Sequence, residues 1–307
     1  MTEKPKIFNG VLAAALTPVT GDSKPNIPLM ARHCRWLLKN GCDGLGILGT
    51  TGEATAFTVQ ERIAIVDQLV DAGVPGSALM PGTGACAFED ALEVTRAAVK
   101  AGARGVLMLP PFYYKNVSDE GLFAFFSEII EKVGDSKLRM YLYHFPQMSG
   151  VPITYELIDM LRKRYGDTVA GMKDSSGVLE NMVGAARNFP GFAVFSGADN
   201  HLLPLMKEGG AGCITACANV GSALAQQVYA GFKKGQNVDA ANEKLCAIRK
   251  HVSQFPLSAA LKELMARHTG DQSWTNIRPP LMRLSKEKAK ALLDGFDAIG
   301  FPLPLAA

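Results

Sequence analysis

Short apolar runs alternate with longer stretches of helical periodicity along the first three quarters of the chain. Residues 10–16 form a strand-like run, and residues 29–38 then place apolar side chains at helical spacing. The alternation continues until residues 212–214 and a helix over about residues 220–232, which makes eight strand–helix units. The intervening strands are predicted at residues 44–48, 78–80, 105–109, 138–143, 169–174 and 193–195.

Eight strand–helix units within roughly 230 residues favour a closed (β/α)₈ barrel over an open doubly wound sheet. An open dinucleotide-binding sheet would carry GxGxxG after its first strand, where this chain has Leu-Thr-Pro. Three further helical patterns follow, separated by proline and glycine. We therefore predict an α/β protein with a (β/α)₈ TIM barrel over residues 1–236. A C-terminal helical extension over residues 237–307 is expected to pack on the barrel, with one domain overall.

Composition narrows the class of partner. The net charge of +3 arises from interspersed charges, without the clustered basic stripe expected of a nucleic-acid-binding protein. The six cysteines form no CxxC pair and the five histidines no HExxH motif, so no metal site is predicted. The longest apolar run, residues 11–16, is far too short to span a membrane. We expect a cytoplasmic protein that binds a small molecule and neither nucleic acid nor membrane.

One predicted strand ends in a reactive group. Residues 169–177 read Val-Ala-Gly-Met-Lys-Asp-Ser-Ser-Gly, an apolar run that carries a single lysine and stops at small polar residues. With regular alternation, Val169, Gly171 and Lys173 share one face, whereas Ala170, Met172 and Asp174 share the other. An ammonium carried inward loses hydration, which favours the neutral amine that attacks a carbonyl. Lys173 is therefore a candidate Schiff-base lysine, with an exposed strand-end lysine as the alternative.

Three other strand ends carry candidate chemistry, because catalytic groups of such barrels lie at the carboxyl ends of the strands. The second ends at residues 49–53, Gly-Thr-Thr-Gly-Glu, where backbone N–H groups can bind a carboxylate and hydroxyls can relay protons. The fifth places Tyr143 on the same side as Tyr141, where a phenol can transfer protons. The fourth leads into the aromatic loop 109–115, a lid or a subunit contact. The alternative for residues 49–53 is a simple strand-to-helix turn, and the alternative for Tyr143 is an aromatic side chain that only fills the barrel core.

These motifs, in this order, resemble the dihydrodipicolinate synthase and N-acetylneuraminate lyase family of class I aldolases. The resemblance covers nearly the whole chain through GTTGE at residues 49–53, the tyrosine pair at 113–114, YxxP at 143–146 and KDSSG at 173–177. It implies a (β/α)₈ barrel with a short C-terminal helical domain. It also implies an imine between a lysine and a 2-oxo acid such as pyruvate, without a metal or organic cofactor.

The resemblance assigns roles residue by residue. Lys173 matches the Schiff-base lysine and Tyr143 the phenol that moves protons. Thr50 matches the hydroxyl linking this phenol to a second tyrosine, Tyr114, which in many members comes from the neighbouring subunit. The implied assembly is a homo-oligomer, a dimer or a tetramer. Thr50 and Thr51 match the pair that receives pyruvate's carboxylate, and Gly197 and Ile214 match small and apolar positions that line the pocket. Gly49 is a further substrate-binding candidate in the same loop as the threonines, and Ser175, after Lys173, is a candidate for contact with a substrate hydroxyl.

Two departures bear on the second substrate. Members that condense aspartate semialdehyde with pyruvate carry an arginine where this chain has Met148, so the acceptor aldehyde is expected to be neutral or polyhydroxylated. Sialic acid lyases carry an acidic pair where this chain has Asp199-Asn200, and these residues either contact substrate or cap a helix.

We therefore predict a pyruvate-dependent aldolase or lyase. The alternatives are a 2-keto-3-deoxy sugar-acid dehydratase that uses the same imine, dihydrodipicolinate synthase proper, and a metabolite-binding regulator in which Lys173 is only a salt-bridge anchor.

Overall fold

The computed structural model of the chain describes residues 5–304, and these form one parallel sheet surrounded by helices. The seven strands are β1 Gly10–Ala13, β2 Gly44–Leu45, β3 Val106–Met108, β4 Met140–His144, β5 Val169–Asp174, β6 Ala193–Ser196 and β7 Gly212–Thr215. The helices of the barrel are α1 Ile27–Lys39, α2 Val59–Asp71, α3 Phe88–Lys100, α4 Asp119–Val133, α5 Pro146–Ser149, α6 Tyr155–Tyr165, α7 Leu179–Asn188, α8 Leu202–Lys207 and α9 Ala218–Lys233. The order of elements follows the predicted strand–helix alternation, with α5 as an added turn of helix.

The sheet closes through a segment that is not a regular strand. The strand order is β2-β1-β7-β6-β5-β4-β3, and the predicted third strand is instead an extended segment, residues 79–83. Isolated parallel bridges pair Leu79 with Leu45 on β2 and Gly82 with Leu107 on β3. Pro81 lies between them and has no N–H to donate, which prevents a continuous ladder. The segment still takes the place of the eighth strand between β2 and β3. The predicted (β/α)₈ barrel is confirmed.

The core has two layers, as expected for a barrel ringed by helices. Inside the barrel, buried side chains from the strands form an interior cluster that includes Leu12, Tyr141, Phe195 and Ile214. Outside it, the apolar stripes of the helices pack against the outward-facing strand residues. The interior cluster fills the barrel below its mouth, so a ligand has room only at the end of the strands.

Alternation along β5 is broken once, which corrects the predicted faces of two residues. The pairing register between β4 and β5 shifts after Met140, so that β5 carries one extra residue. As a result Ala170 belongs to the interior cluster and Val169 to the outer layer, opposite to the prediction. Beyond the bulge, Lys173 is the register partner of Tyr143, as inward alternation requires.

The C-terminal extension consists of α10 Asp239–Val252, α11 Leu257–Thr269 and α12 Lys286–Ile299. Pro256 precedes α11, and Gly270 ends it with a φ of 71°. These are the proline and glycine that separate the helical patterns in the sequence. Helix α10 packs against α9 and α12, which attaches the extension to the barrel. Across the described part of the chain, none of the helices combines the length and apolar character needed to cross a membrane.

Candidate active site

A cavity of about 740 Å³ lies at the carboxyl ends of the strands and brings most of the predicted residues together. Eight of them line it: Gly49, Thr50, Thr51, Tyr143, Met148, Lys173, Ser175 and Gly197. Tyr114, Asp199 and Ile214 lie outside the lining. The cavity is therefore the candidate active site, and its chemistry is set by how each strand end presents its side chain.

Lys173 and Tyr143 form the centre of the site. Both side chains are buried, with about one-twentieth of each residue exposed. The Lys173 Nζ donates a hydrogen bond to the Tyr143 hydroxyl at 3.2 Å and lies 4.4 Å from the centre of its ring. Since the residues are register partners on adjacent parallel strands, both side chains point into the barrel at the same height. The amine therefore has a proton donor and acceptor in direct contact.

The environment of Tyr143 lowers the pKa of its hydroxyl. Burial by itself raises the pKa of a phenol, because it disfavours the charged state. The nearby charge of Lys173, together with hydrogen bonds to Thr50, Ser175 and Lys173, outweighs burial and lowers the pKa of Tyr143 below its ordinary value. A phenol of lowered pKa gives up and takes back a proton more easily than tyrosine in water.

The loop at residues 49–53 presents unpaired backbone donors to the cavity. Leu48 and Glu53 have φ angles of 53° and 58°, so non-glycine residues adopt the left-handed conformation on either side of Gly49 and Gly52. Within residues 5–304, the backbone N–H groups of Thr50 and Thr51 have no hydrogen-bond acceptor. Two adjacent free donors beside a lysine are suited to binding a carboxylate.

Gly197 leaves the space that Ser175 occupies. A Cβ atom at Gly197 would lie 2.1 Å from the Ser175 hydroxyl oxygen and 2.8 Å from the Asp174 carbonyl oxygen. The Gly197 N–H also donates to that carbonyl at 2.7 Å, which fixes the two strand ends together. Only glycine permits this approach, and Ser175 thereby reaches the Tyr143 hydroxyl.

Asp174, next to the lysine in sequence, is engaged elsewhere, as predicted. Its carboxylate accepts hydrogen bonds from the Ser176 N–H at 2.7 Å and the Asn181 side chain at 2.6 Å. Among the described residues no carboxylate forms an ion pair with Lys173. The lysine is therefore held at the cavity without a neutralising anion.

Asp199 and Ile214 are buried away from the cavity. Asp199 is fully buried and accepts a hydrogen bond from the Thr215 hydroxyl at 2.7 Å. Burial raises its pKa, and the charge of Arg249 and the Thr215 hydrogen bond offset this only in part. Asp199 opens a short 3₁₀ turn without a side-chain cap, so the structure supports neither the substrate contact nor the cap. Ile214 belongs to the interior cluster beneath the site.

The aromatic loop after β3 projects from the barrel mouth. Tyr113 and Tyr114 are about three-quarters exposed, and their rings meet edge to face with centroids 5.4 Å apart. The Lys115 ammonium donates to the carbonyl oxygens of Phe112 and Ser149, the latter at 2.7 Å, which ties the loop to α5. Tyr114 therefore does not reach the cavity of its own chain.

Sequence reasoning missed the contribution of the C-terminal extension. Arg249 on α10, residues 256–259 and most of residues 277–282 all line the cavity. Glu53 of the loop after β2 forms a buried ion pair with Lys262 on α11, and it accepts a hydrogen bond from the Arg278 N–H at 3.2 Å. The extension is thus bonded to the loop that carries Thr50 and Thr51. Only pairing between distant segments reveals this, because Glu53 belongs to the GTTGE motif but Lys262 and Arg278 belong to none.

A second, smaller cavity of about 270 Å³ lies between α1 and α11 and contains none of the predicted residues. In the part of the chain that the structure describes, no group of three or more His, Cys, Asp or Glu side chains is arranged to hold a metal ion.

Comparison with known proteins shows the family of the chain. Residues 7–298 match the dihydrodipicolinate synthetase family. A protein of Chloroflexus aurantiacus described as an uncharacterized DapA-like lyase is 34% identical over 291 residues, covering 94% of this chain and 96% of that protein.

Two solved structures share the fold. The crystal structure of dihydrodipicolinate synthase from Agrobacterium tumefaciens has a TM-score of 0.87 at 32% identity, covering 94% of this chain and 99% of the other. That of YagE, a prophage protein of Escherichia coli K12 in complex with pyruvate, has a TM-score of 0.88 at 25% identity, covering 97% and 100%. The resemblance inferred from the motifs is confirmed: this chain is an enzyme that belongs to the dihydrodipicolinate synthetase family of aldolases and lyases.

Proposed function

We propose that Lys173 forms an imine with a 2-oxo acid, most simply pyruvate, and that the enzyme makes or breaks the carbon–carbon bond between its C3 and an aldehyde carbon. One observation carries the proposal: a buried lysine without a carboxylate partner in the described structure lies 3.2 Å from the hydroxyl of a tyrosine whose pKa is lowered. The complex of YagE with pyruvate supports the same class of substrate. The proposal excludes the salt-bridge-anchor alternative, because Lys173 has no carboxylate partner in the described structure.

Each group has a role in the proposed reaction. The neutral Lys173 amine attacks C2 of the oxo acid, and Tyr143 donates the proton with which water leaves. The unpaired N–H groups of Thr50 and Thr51 bind the substrate carboxylate, with Gly49 as part of the same loop. The imine then acts as an electron sink, so that C3 loses a proton to the Tyr143 phenolate and the resulting enamine attacks the aldehyde. In the cleavage direction Tyr143 accepts the proton of the C4 hydroxyl.

Borohydride trapping tests this proposal. The protein is incubated with pyruvate and borohydride, and its intact mass is measured. The wild type should gain one reduced pyruvate adduct, and so should Lys137→Arg, a matched change of an exposed lysine. Lys173→Arg should gain none, because a guanidinium stays protonated and forms no imine. An undiminished adduct on Lys173→Arg would show that another residue is modified.

We further propose that the protein is a homo-oligomer in which Tyr114 completes the site of a neighbouring subunit. Two adjacent tyrosines on a loop tied down by Lys115, each about three-quarters exposed, support an apolar contact with a second copy. A cytoplasmic location stays a prediction, in keeping with six cysteines that form no disulfide.

A further inference from the structure

The active-site cavity has an inner and an outer half of different chemistry. The inner half contains Lys173, Tyr143 and the Thr50–Thr51 pair, which suit the 2-oxo acid. The outer half, between the inner half and solvent, is apolar. Its six principal side chains are Phe112, Phe145, Met148, Leu257, Leu281 and Met282.

One wall continues the aromatic surface of the catalytic phenol. The ring of Phe145 stacks on that of Tyr143 with centroids 5.7 Å apart and an interplanar angle of 29°. Phe112 and Met148 lie on the same side of the cavity, on the aromatic loop and α5, and Met148 is 60% exposed. This wall therefore leads outward from the bond-forming position along ring and thioether surfaces.

The opposite wall belongs to the C-terminal extension and is anchored. Leu281 is 42% and Met282 74% exposed, although both line the cavity. The preceding Arg278 binds both carboxylate oxygens of Glu61 at 2.6 and 3.0 Å, and its guanidinium also donates to backbone carbonyls at residues 23 and 56. Exposed apolar side chains on an anchored segment beside a reactive lysine are suited to a ligand.

Four charged side chains line the cavity, namely Glu53, Arg62, Lys173 and Arg249. Glu53 pairs with Lys262, and Arg62 donates to the Gly82 carbonyl oxygen at 2.7 Å. The charge of Arg249 acts on the buried Asp199 carboxylate, although the two form no ion pair among the described residues. None of these charged groups is among the six apolar side chains that form the outer half.

Most hydroxyl groups of the lining are also engaged. Thr50 and Ser175 bond Tyr143, and Ser258 donates to the Thr51 carbonyl oxygen at 3.2 Å. Among the described lining residues this leaves two hydroxyls without a partner, Thr51 in the inner half and Thr55 at the rim of the outer half. A polyhydroxylated aldehyde would lose its water contacts there and regain few hydrogen bonds.

We propose, on the basis of the imine function above, that the acceptor is an aldehyde with a bulky apolar substituent, such as an aromatic ring. The enamine formed from pyruvate attacks the aldehyde carbon through C3, and the aldehyde oxygen takes a proton from Tyr143. Water then releases a 4-hydroxy-2-oxo acid that carries the apolar group on C4 and regenerates Lys173. The atoms of pyruvate and aldehyde sum to those of the product.

An acceptor panel tests this inference. With pyruvate fixed, kcat/KM is measured for benzaldehyde, 3-methylbutanal, glyceraldehyde and aspartate semialdehyde. The apolar pair should exceed the other two by at least about tenfold, the smaller end of the discrimination that apolar pockets achieve. Cleavage of 4-hydroxy-2-oxo-4-phenylbutanoate, followed as benzaldehyde release, covers the reverse direction. Glyceraldehyde or aspartate semialdehyde reacting as well as the apolar pair, or the apolar pair staying inert in both directions, would overturn the inference.

Variants locate the effect. Met148→Arg should lower kcat/KM for benzaldehyde at least about tenfold, because a hydrated cation would enter the apolar wall. Gln68→Arg adds the same charge on the exposed face of α2 and should leave it unchanged. If Met148→Arg does not fold, Met282→Asn tests the opposite wall, where a selective loss with benzaldehyde is expected. An unchanged benzaldehyde rate in a folded variant of either wall would count against the inference.

Pyruvate trapping separates the two proposals. Wild-type protein that traps pyruvate but prefers glyceraldehyde refutes the apolar acceptor and leaves the imine in place. Wild-type protein that traps no pyruvate refutes both.

Discussion

The Lys173 amine and the Tyr143 hydroxyl lie 3.2 Å apart because the two residues are register partners on β5 and β4. We expect Tyr143→Phe to lower kcat by roughly 10²- to 10⁴-fold, the usual contribution of a positioned proton carrier, with a smaller change in KM for pyruvate. Steady-state kinetics measure both.

Tyr141→Phe is the matched control for Tyr143→Phe, since Tyr141 also points into the barrel from β4. Its hydroxyl accepts a hydrogen bond from the Phe8 N–H at 2.8 Å, within the interior cluster. This change should lower stability by about 1–3 kcal/mol and leave kcat nearly intact. Equal losses of kcat in the two variants would identify Tyr143 as a packing residue.

Gly197→Ala should reduce activity strongly, because the new Cβ meets the Asp174 carbonyl oxygen and the Ser175 side chain at under 3.0 Å. The strand ends must separate, which moves Ser175 away from Tyr143. Gly121→Ala on α4 is the control, since its Cβ would meet nothing nearer than 3.8 Å. Turnover number and thermal midpoint are measured for both, and full activity of Gly197→Ala would exclude a requirement for this close approach.

Tyr114→Phe should lower turnover, whereas Tyr113→Phe should not, if Tyr114 acts across a subunit contact. Sedimentation should then show a species larger than the monomer. Mixing Tyr114→Phe with the inactive Lys173→Arg protein gives hybrid contacts that combine an intact Lys173 with an intact Tyr114. Such mixtures should recover part of the activity. An active monomer, or a mixture with no recovery, would rule out the shared site.

Breaking the buried ion pair between Glu53 and Lys262 should be costly. Lys262→Met leaves the Glu53 carboxylate unpaired in the interior, and a loss of roughly 3–5 kcal/mol is typical of such a change. The double variant Glu53→Gln with Lys262→Met should recover much of this loss, because no buried charge remains. The free energy of unfolding of both variants is measured by denaturant titration. A double variant as unstable as Lys262→Met would contradict the explanation that the loss comes from an unpaired buried carboxylate.

The Glu61–Arg278 pair should make stability depend on acid pH. Hydrogen bonding to Arg278 lowers the pKa of Glu61 from 4.5 to about 2 in the folded protein. Because the folded value lies below the unfolded one, the stabilisation is complete above pH 4.5 and fades as the pH falls towards 2. Glu61→Gln should cost roughly 1–2 kcal/mol at neutral pH, since the pair is bidentate but partly exposed. The difference between variant and wild type should shrink in unfolding experiments between pH 4.5 and 2.

The sequence by itself determined the elements and the chemistry at the strand ends. Apolar periodicity is local, so it identified the strand–helix alternation, and proline and glycine marked the limits of α11 correctly. Lys173, Tyr143 and Thr50 were found for the same reason: the end of a strand fixes which face of the barrel mouth a side chain reaches. Lys173 and Tyr143 then converge because β5 and β4 are neighbours, whereas Thr50, after β2, joins them only because the barrel closes.

Tertiary structure alone decided the features that depend on segments far apart in the chain. Residues 79–83 take the place of a barrel strand because β2 and β3 pair with them on either side, although Pro81 interrupts the ladder. Asp199 is buried outside the cavity lining, where it accepts a hydrogen bond from the Thr215 hydroxyl. Leu281 and Met282 became part of the active-site wall because Arg278 binds Glu61 across the barrel mouth. No periodicity encodes such contacts, since each partner becomes informative only when packing has brought the other beside it.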